Sequence, residues 1–133
     1  ENCKPQDLKQ LEQMHEKLED FVKQGNIDAY YEQNFVFHQA VQDLSGNKWL
    51  QRVIGDLRKV LRLARHMQLT IPGRLEESLE EHRQIMKAFT QQDSDLADQN
   101  MQNHLKQQWY SLVNKDTDLS VLLKFNSGSP IPI

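Results

Sequence analysis

The chain has 133 residues, 26% charged and 38% hydrophobic, with a formal net charge of −3, which is enough length for one domain with one core. No apolar run approaches the ~20 residues of a membrane-spanning helix, and the single cysteine, Cys3, excludes an internal disulfide framework and suits a cytoplasmic location. Basic and acidic residues are interspersed except between Arg52 and Arg65, so the chain lacks the basic footprint that gripping DNA directly demands.

Pro and Gly are scarce, and Gln, Leu, Glu and Lys abound. That composition predicts an all-α fold. The first predicted helix runs from about Pro5 to Gln24, with Leu8, Leu11, Met14, Leu18, Phe21 and Val22 spaced by threes and fours. Pro5 suits a first turn and Gly25 a left-handed stop. Asn26 then caps a second helix, Ile27 to Ser45, with Tyr30, Tyr31, Phe37, Val41 and Leu44 on its stripe. Gly46 ends it, and Asn47 caps a third helix, Lys48 to Gln68, predicted to bury Leu50, Val53, Ile54, Leu57, Leu61 and Ala64.

Thr70-Ile71-Pro72-Gly73 reads as a loop. Ser78-Leu79-Glu80-Glu81 has the form of a capping box and predicts a fourth helix from Leu79 to Gln91, or from a turn earlier near Arg74. Asp93 or Ser94 caps a fifth, which continues through Met101, Leu105 and Val113 to about Asn114. Residues 126–133 form a tail that cannot continue a helix. Short connections between these stretches predict an antiparallel helical bundle of about five to six helices, filling residues 1–125.

The informative residues are those that interrupt the apolar stripes. At 100° per residue, His38 falls among Ile27, Tyr31 and Val41, with Asn34 one turn before it. His82 falls within the face of Leu79, Ile85, Met86 and Phe89, and His104 beside Met101 and Leu105. Three helices thus each turn one histidine toward the core. A buried imidazole without a partner costs about 1–3 kcal/mol. A shared divalent ion would satisfy all three, since neutral imidazole is a good ligand for zinc or nickel. Asn34 could add a carbonyl oxygen. The alternative is three core histidines, each bonded to a backbone carbonyl. Periodicity alone does not choose between these. His15 also sits on a stripe, without an obvious co-ligand, and His66 lies nearer a polar face.

Gly25-Asn26-Ile27-Asp28-Ala29-Tyr30, Phe37-His38, Gly46-Asn47, Arg74-x3-Ser78-x2-Glu81-His82-x2-Ile85, Asp93 and Met101-x2-His104-Leu105 resemble, as an ordered set, the FCD domain. That is the C-terminal effector-binding domain of the FadR subfamily of GntR transcription regulators. The resemblance covers about Leu8 to Leu112. It implies a homodimer, a metal held by an acidic residue and three histidines, and a small carboxylate effector bound at or near the metal. It also implies an N-terminal winged helix-turn-helix that carries the DNA binding. Neither that domain nor the first family helix is recognised in this chain.

The resemblance assigns His38, His82 and His104 to a metal such as zinc or nickel, and the position of the usual ligand aspartate is Asn34 here. A dication held by neutral ligands keeps its full charge, which favours an anionic effector. Arg58, Arg62 and Arg65 share a face of the third helix and are candidates to bind its carboxylate. The bland alternative is a solvated face paired with acidic neighbours. A metalloenzyme is the main rival function, but it needs a general base, and no carboxylate is clearly placed beside the histidines by periodicity. Glu81 is read as serving the capping box, so no enzyme is expected. A helical interaction module without a metal is the other rival.

Overall fold

The structure, a computed structural model, describes residues 3–113. Among these there are six helices and no strand: α1 Pro5–Lys23, α2 Ile27–Asp43, α3 Lys48–Val60, α4 Arg62–Leu69, α5 Arg74–Thr90 and α6 Ser94–Val113. The expected tail at 126–133 lies outside the described residues. No helix is long and apolar enough to cross a membrane.

Local chemistry sets the ends of the first two helices. Pro5 opens α1, and the Lys4 backbone N–H donates to the Asp7 carboxylate at 2.9 Å. Gly25 adopts φ +62°, which lets the Asn26 N–H turn back to Phe21 O at 2.9 Å. The Asn26 side chain then accepts from Ala29 N at 3.1 Å and starts α2. Asn47 and Asp93 cap α3 and α6 in the same way.

The core is built by α1, α2 and α5, with α6 laid along α5. Leu11, Leu18, Tyr30, Phe37, Leu79 and Ile85 are buried at its centre. Fully burying one such side chain contributes about 1.5–3 kcal/mol, so this apolar cluster dominates the stability of the bundle.

The structure differs from the sequence reading in two places. The predicted third helix bends at Leu61 (φ −87°, ψ 2°) and becomes α3 and α4. The cause is tertiary: α4 packs on α2, α5 and α6, whereas α3 packs chiefly on α2 and α4. As a result no residue of α3 is buried. Leu50, Val53, Leu57 and Leu61, expected in the core, are exposed, and so are Trp49 and Val60.

The second difference concerns Ser78. It does not cap a helix, because α5 takes the earlier of the two expected starts, Arg74, just after Gly73 at φ +81°. Ser78 lies inside α5, buried, and accepts a hydrogen bond from Tyr30 Oη at 3.0 Å.

Candidate metal centre

Three helices converge on one point. His38 of α2, His82 of α5 and His104 of α6 are at most 1% exposed. His104 is the only buried residue described on α6. The His104 Nε2 atom lies 3.2 Å from His38 Nε2 and 3.3 Å from His82 Nε2, and one ligand atom from each ring lies within 4.8 Å of the other two. Ligand nitrogens about 2.0–2.1 Å from one zinc ion sit about 2.9 Å apart at a right angle and about 3.4 Å apart at a tetrahedral angle. The two separations from His104 fall between those limits.

The rings are held by packing as well as by the backbone. His82 stacks on Phe37 with centroids 5.1 Å apart, and His38 stacks on His104 at 5.1 Å. Burial pushes His38 and His82 well below the ordinary imidazole range, and the neighbouring rings push further in the same direction. Burial also lowers His104, against the opposing pull of Glu81. All three are therefore neutral and ready to donate a lone pair to a cation.

Glu81 fixes how His104 presents itself. Its Oε2 lies 2.5 Å from His104 Nδ1, and both of its oxygens accept from Arg74, at 2.8 and 2.9 Å. Burial acts to raise the Glu81 pKa, but the hydrogen bonds from His104 and Arg74 prevail and hold the carboxyl below its usual range. An ionised Glu81 can only accept, so Nδ1 carries the ring proton and Nε2 carries the lone pair. The one lone pair on His104 Nε2 then faces His38, His82 and the Gln108 amide nitrogen, the last at 2.7 Å. It can accept a proton from only one of them. A cation shared by the Nε2 atoms resolves that crowding, so the donor set fits a metal.

This corrects the reading of Glu81 as a cap with no carboxylate beside the histidines. Arg74, Ser78 and Glu81 recur at intervals of four and three, so α5 turns all of them to the face that carries His82. That shared face was the signal available in the sequence. Gln108, one turn after His104, is a second residue the periodicity did not single out.

The other candidates are distributed as follows. Asn34 is buried one turn before His38, and its Oδ1 has no hydrogen-bond partner. It lines a narrow cavity with Tyr31, Phe35, Arg58 and Arg65. Arg65 Nη2 is buried there without a partner. With its amide oxygen turned inward, Gln42 accepts from Arg58 Nη2 at 3.2 Å and Nε at 3.1 Å. Burial, followed by repulsion from Arg65, pulls Arg58 down to about 10. Arg62 does not join this cavity, since its exposed guanidinium pairs with Glu32 at 2.9 Å. His66 lies near the surface and meets Asp28 at 2.6 Å. His15 is buried against the edge of Phe37 and stays outside the cluster, with Nε2 unpartnered.

No curated protein matches the sequence. The family model of the FCD domain matches residues 1–107, and the chain belongs to that family. It is accordingly a ligand-sensing domain of a GntR-type transcription regulator.

Proposed function

We propose that this FCD domain senses a small carboxylate at a divalent metal held by His38, His82 and His104, with Asn34 contributing a neutral oxygen. The observation that carries the reading is the convergence of three buried Nε2 atoms beside a cavity with unsatisfied groups of both kinds. Asn34 Oδ1 is an acceptor without a donor, and Arg65 Nη2 is a donor without an acceptor. Two half-buried guanidiniums, Arg58 and Arg65, face this cavity, and their charges reach His38. Like charges so placed repel unless an anion lies between them. The cavity measures only about 10 Å³, room for one water, so a carboxylate bridging the metal and Arg65 would satisfy both by widening it.

A metal such as zinc or nickel would act here as an electrostatic anchor for the carboxylate. Enzymatic turnover is disfavoured, because Glu81 has both oxygens engaged by Arg74 and His104 and is not free to act as a general base. In the parent regulator, in this reading, the occupied domain alters operator binding through an N-terminal winged helix-turn-helix.

Zinc affinity measured by competition titration should rise when a binding hydroxy acid is present, and the affinity for the acid should rise equally with zinc. Changing Arg65 to Gln should weaken the acid about 10- to 100-fold, the scale of one charged hydrogen bond, without weakening zinc in carboxylate-free buffer, since the Arg65 charge opposes a cation at the histidines. Absence of coupling across a panel of small carboxylates would sink the sensing reading.

Homodimerisation is part of the same proposal, and the exposed stripe of α3 supports it. Leu50, Val53, Leu57 and Val60 follow helical spacing on one face and are 45–82% exposed. A contiguous apolar face of this kind usually marks an interface. Leu57→Glu is expected to convert a dimer to a folded monomer in sedimentation velocity, and an unchanged dimer would place the interface elsewhere.

A further inference from the structure

We infer that the Gln108 carboxamide is a further protein ligand of the centre, a fifth beside the three histidines and Asn34, donating to His104 Nε2 when no ion is bound and offering its carbonyl oxygen when one is. The inference rests on the metal reading above and adds a residue to it. Gln108 lies one turn after His104 on α6, and its Nε2 is 2.7 Å from His104 Nε2. Because Glu81 fixes the ring proton on Nδ1, His104 Nε2 accepts and Gln108 donates. The amide nitrogen therefore occupies a position next to the ligand atom itself. Its separation from that atom is close to the roughly 3 Å between neighbouring donors around one ion.

An ion on Nε2 takes the lone pair that the Gln108 amide was using, and the N–H then points at a cation. A half-turn about the last side-chain bond exchanges the amide nitrogen and oxygen in nearly the same place. The carbonyl oxygen then faces the charge. The turn of α6 that carries Gln108 is itself held in place. The Gln108 backbone carbonyl accepts from Gln68 Nε2 at 3.1 Å, and the buried Gln68 amide also meets Ser111. Through this contact α4 fastens the last turns of α6. The ligand is neutral, like Asn34 and the three imidazoles, so the ion keeps its full charge for an anion.

The test uses the chelator-stripped chain and zinc alone, in buffer free of carboxylates. Zinc affinity is read by chromophoric competition, and the site by the visible spectrum of cobalt. Gln108→Ala and the volume-conserving Gln108→Met are expected to weaken zinc about tenfold or more. Gln108→Glu, which adds a charged oxygen at the same place, is expected to tighten zinc and shift the cobalt bands. His82→Ala is the control that should abolish binding. If all three Gln108 variants keep wild-type affinity and cobalt bands while His82→Ala loses both, the inference is overturned and the metal reading stands. If the wild-type chain binds neither ion, both are overturned together.

Discussion

Replacing Glu81 by glutamine is expected to lower zinc affinity about 10- to 100-fold with all three histidines still in place. The same change should destabilise the fold. Glu81 binds His104 Nδ1 at 2.5 Å and so decides which nitrogen of that ring is free for the ion. A glutamine can still accept one proton through its oxygen, but it no longer raises the basicity of the ring or balances the bound charge. Arg74 is 3% exposed, and its nearest carboxylate is Glu81 at 2.8 Å, with the exposed Glu77 further off at 3.5 Å. Removing one partner of a buried ion pair costs about 3–5 kcal/mol, mostly through the uncompensated charge left behind. Competition titration reads the first effect and the urea midpoint the second. Unchanged zinc affinity in a folded Glu81→Gln chain would remove Glu81 from the metal centre and leave it a structural partner of Arg74.

The ordering of helices and the three core histidines were legible because both rest on local rules. Asn26, Asn47 and Asp93 cap where their short polar side chains reach the backbone two or three residues on. His38, His82 and His104 interrupt apolar stripes at helical spacing, and burial follows from the spacing. What periodicity could not give was their meeting at one point, which depends on how α2, α5 and α6 pack. His15 makes this concrete. It satisfies the same local rule and is nearly as buried, yet lies outside the cluster.

The misreadings have the same origin. A capping box is a local pattern, and Ser78-x-x-Glu81 matches it, but Arg74 and Leu75 are drawn into the core and carry the helix one turn further back. Ser78 and Glu81 then serve partners from other helices, Tyr30 and His104. The apolar stripe of α3 was expected to be buried, and it is exposed. Helical spacing marks an apolar face but does not say whether the chain's own core reaches it, and α3 stands at the edge of that core.

Stripped of divalent ions, the domain is expected to lose stability steeply as the pH falls below about 6.5. In an unfolded chain histidines titrate near 6.5. In the fold, burial holds His38 and His82 well below that value, with repulsion from the other buried rings adding to it. Burial also lowers His104, partly offset by Glu81, and His15, partly offset by Glu19. Below 6.5 the unfolded state therefore binds more protons than the folded one. Stability then rises with pH across the window between the folded and unfolded values, and falls as protons are added. Each ring that stays neutral in the fold contributes a slope of about 1.4 kcal/mol per pH unit there. Glu81, held below its usual range, acts in the same sense, but only from about pH 4.5 downward. Urea midpoints of the chelator-treated chain between pH 8 and 5 would record the effect, and a flat profile would mean that the rings are charged or exposed in the fold. His82→Leu separates the sources, since it removes one buried ring without adding a charge and should flatten the slope by about one histidine's share. Imidazoles that resist protonation, His38 and His82 most strongly, are poor acid–base switches near neutral pH. That is the state in which nitrogen ligands bind a divalent ion with the least competition from protons.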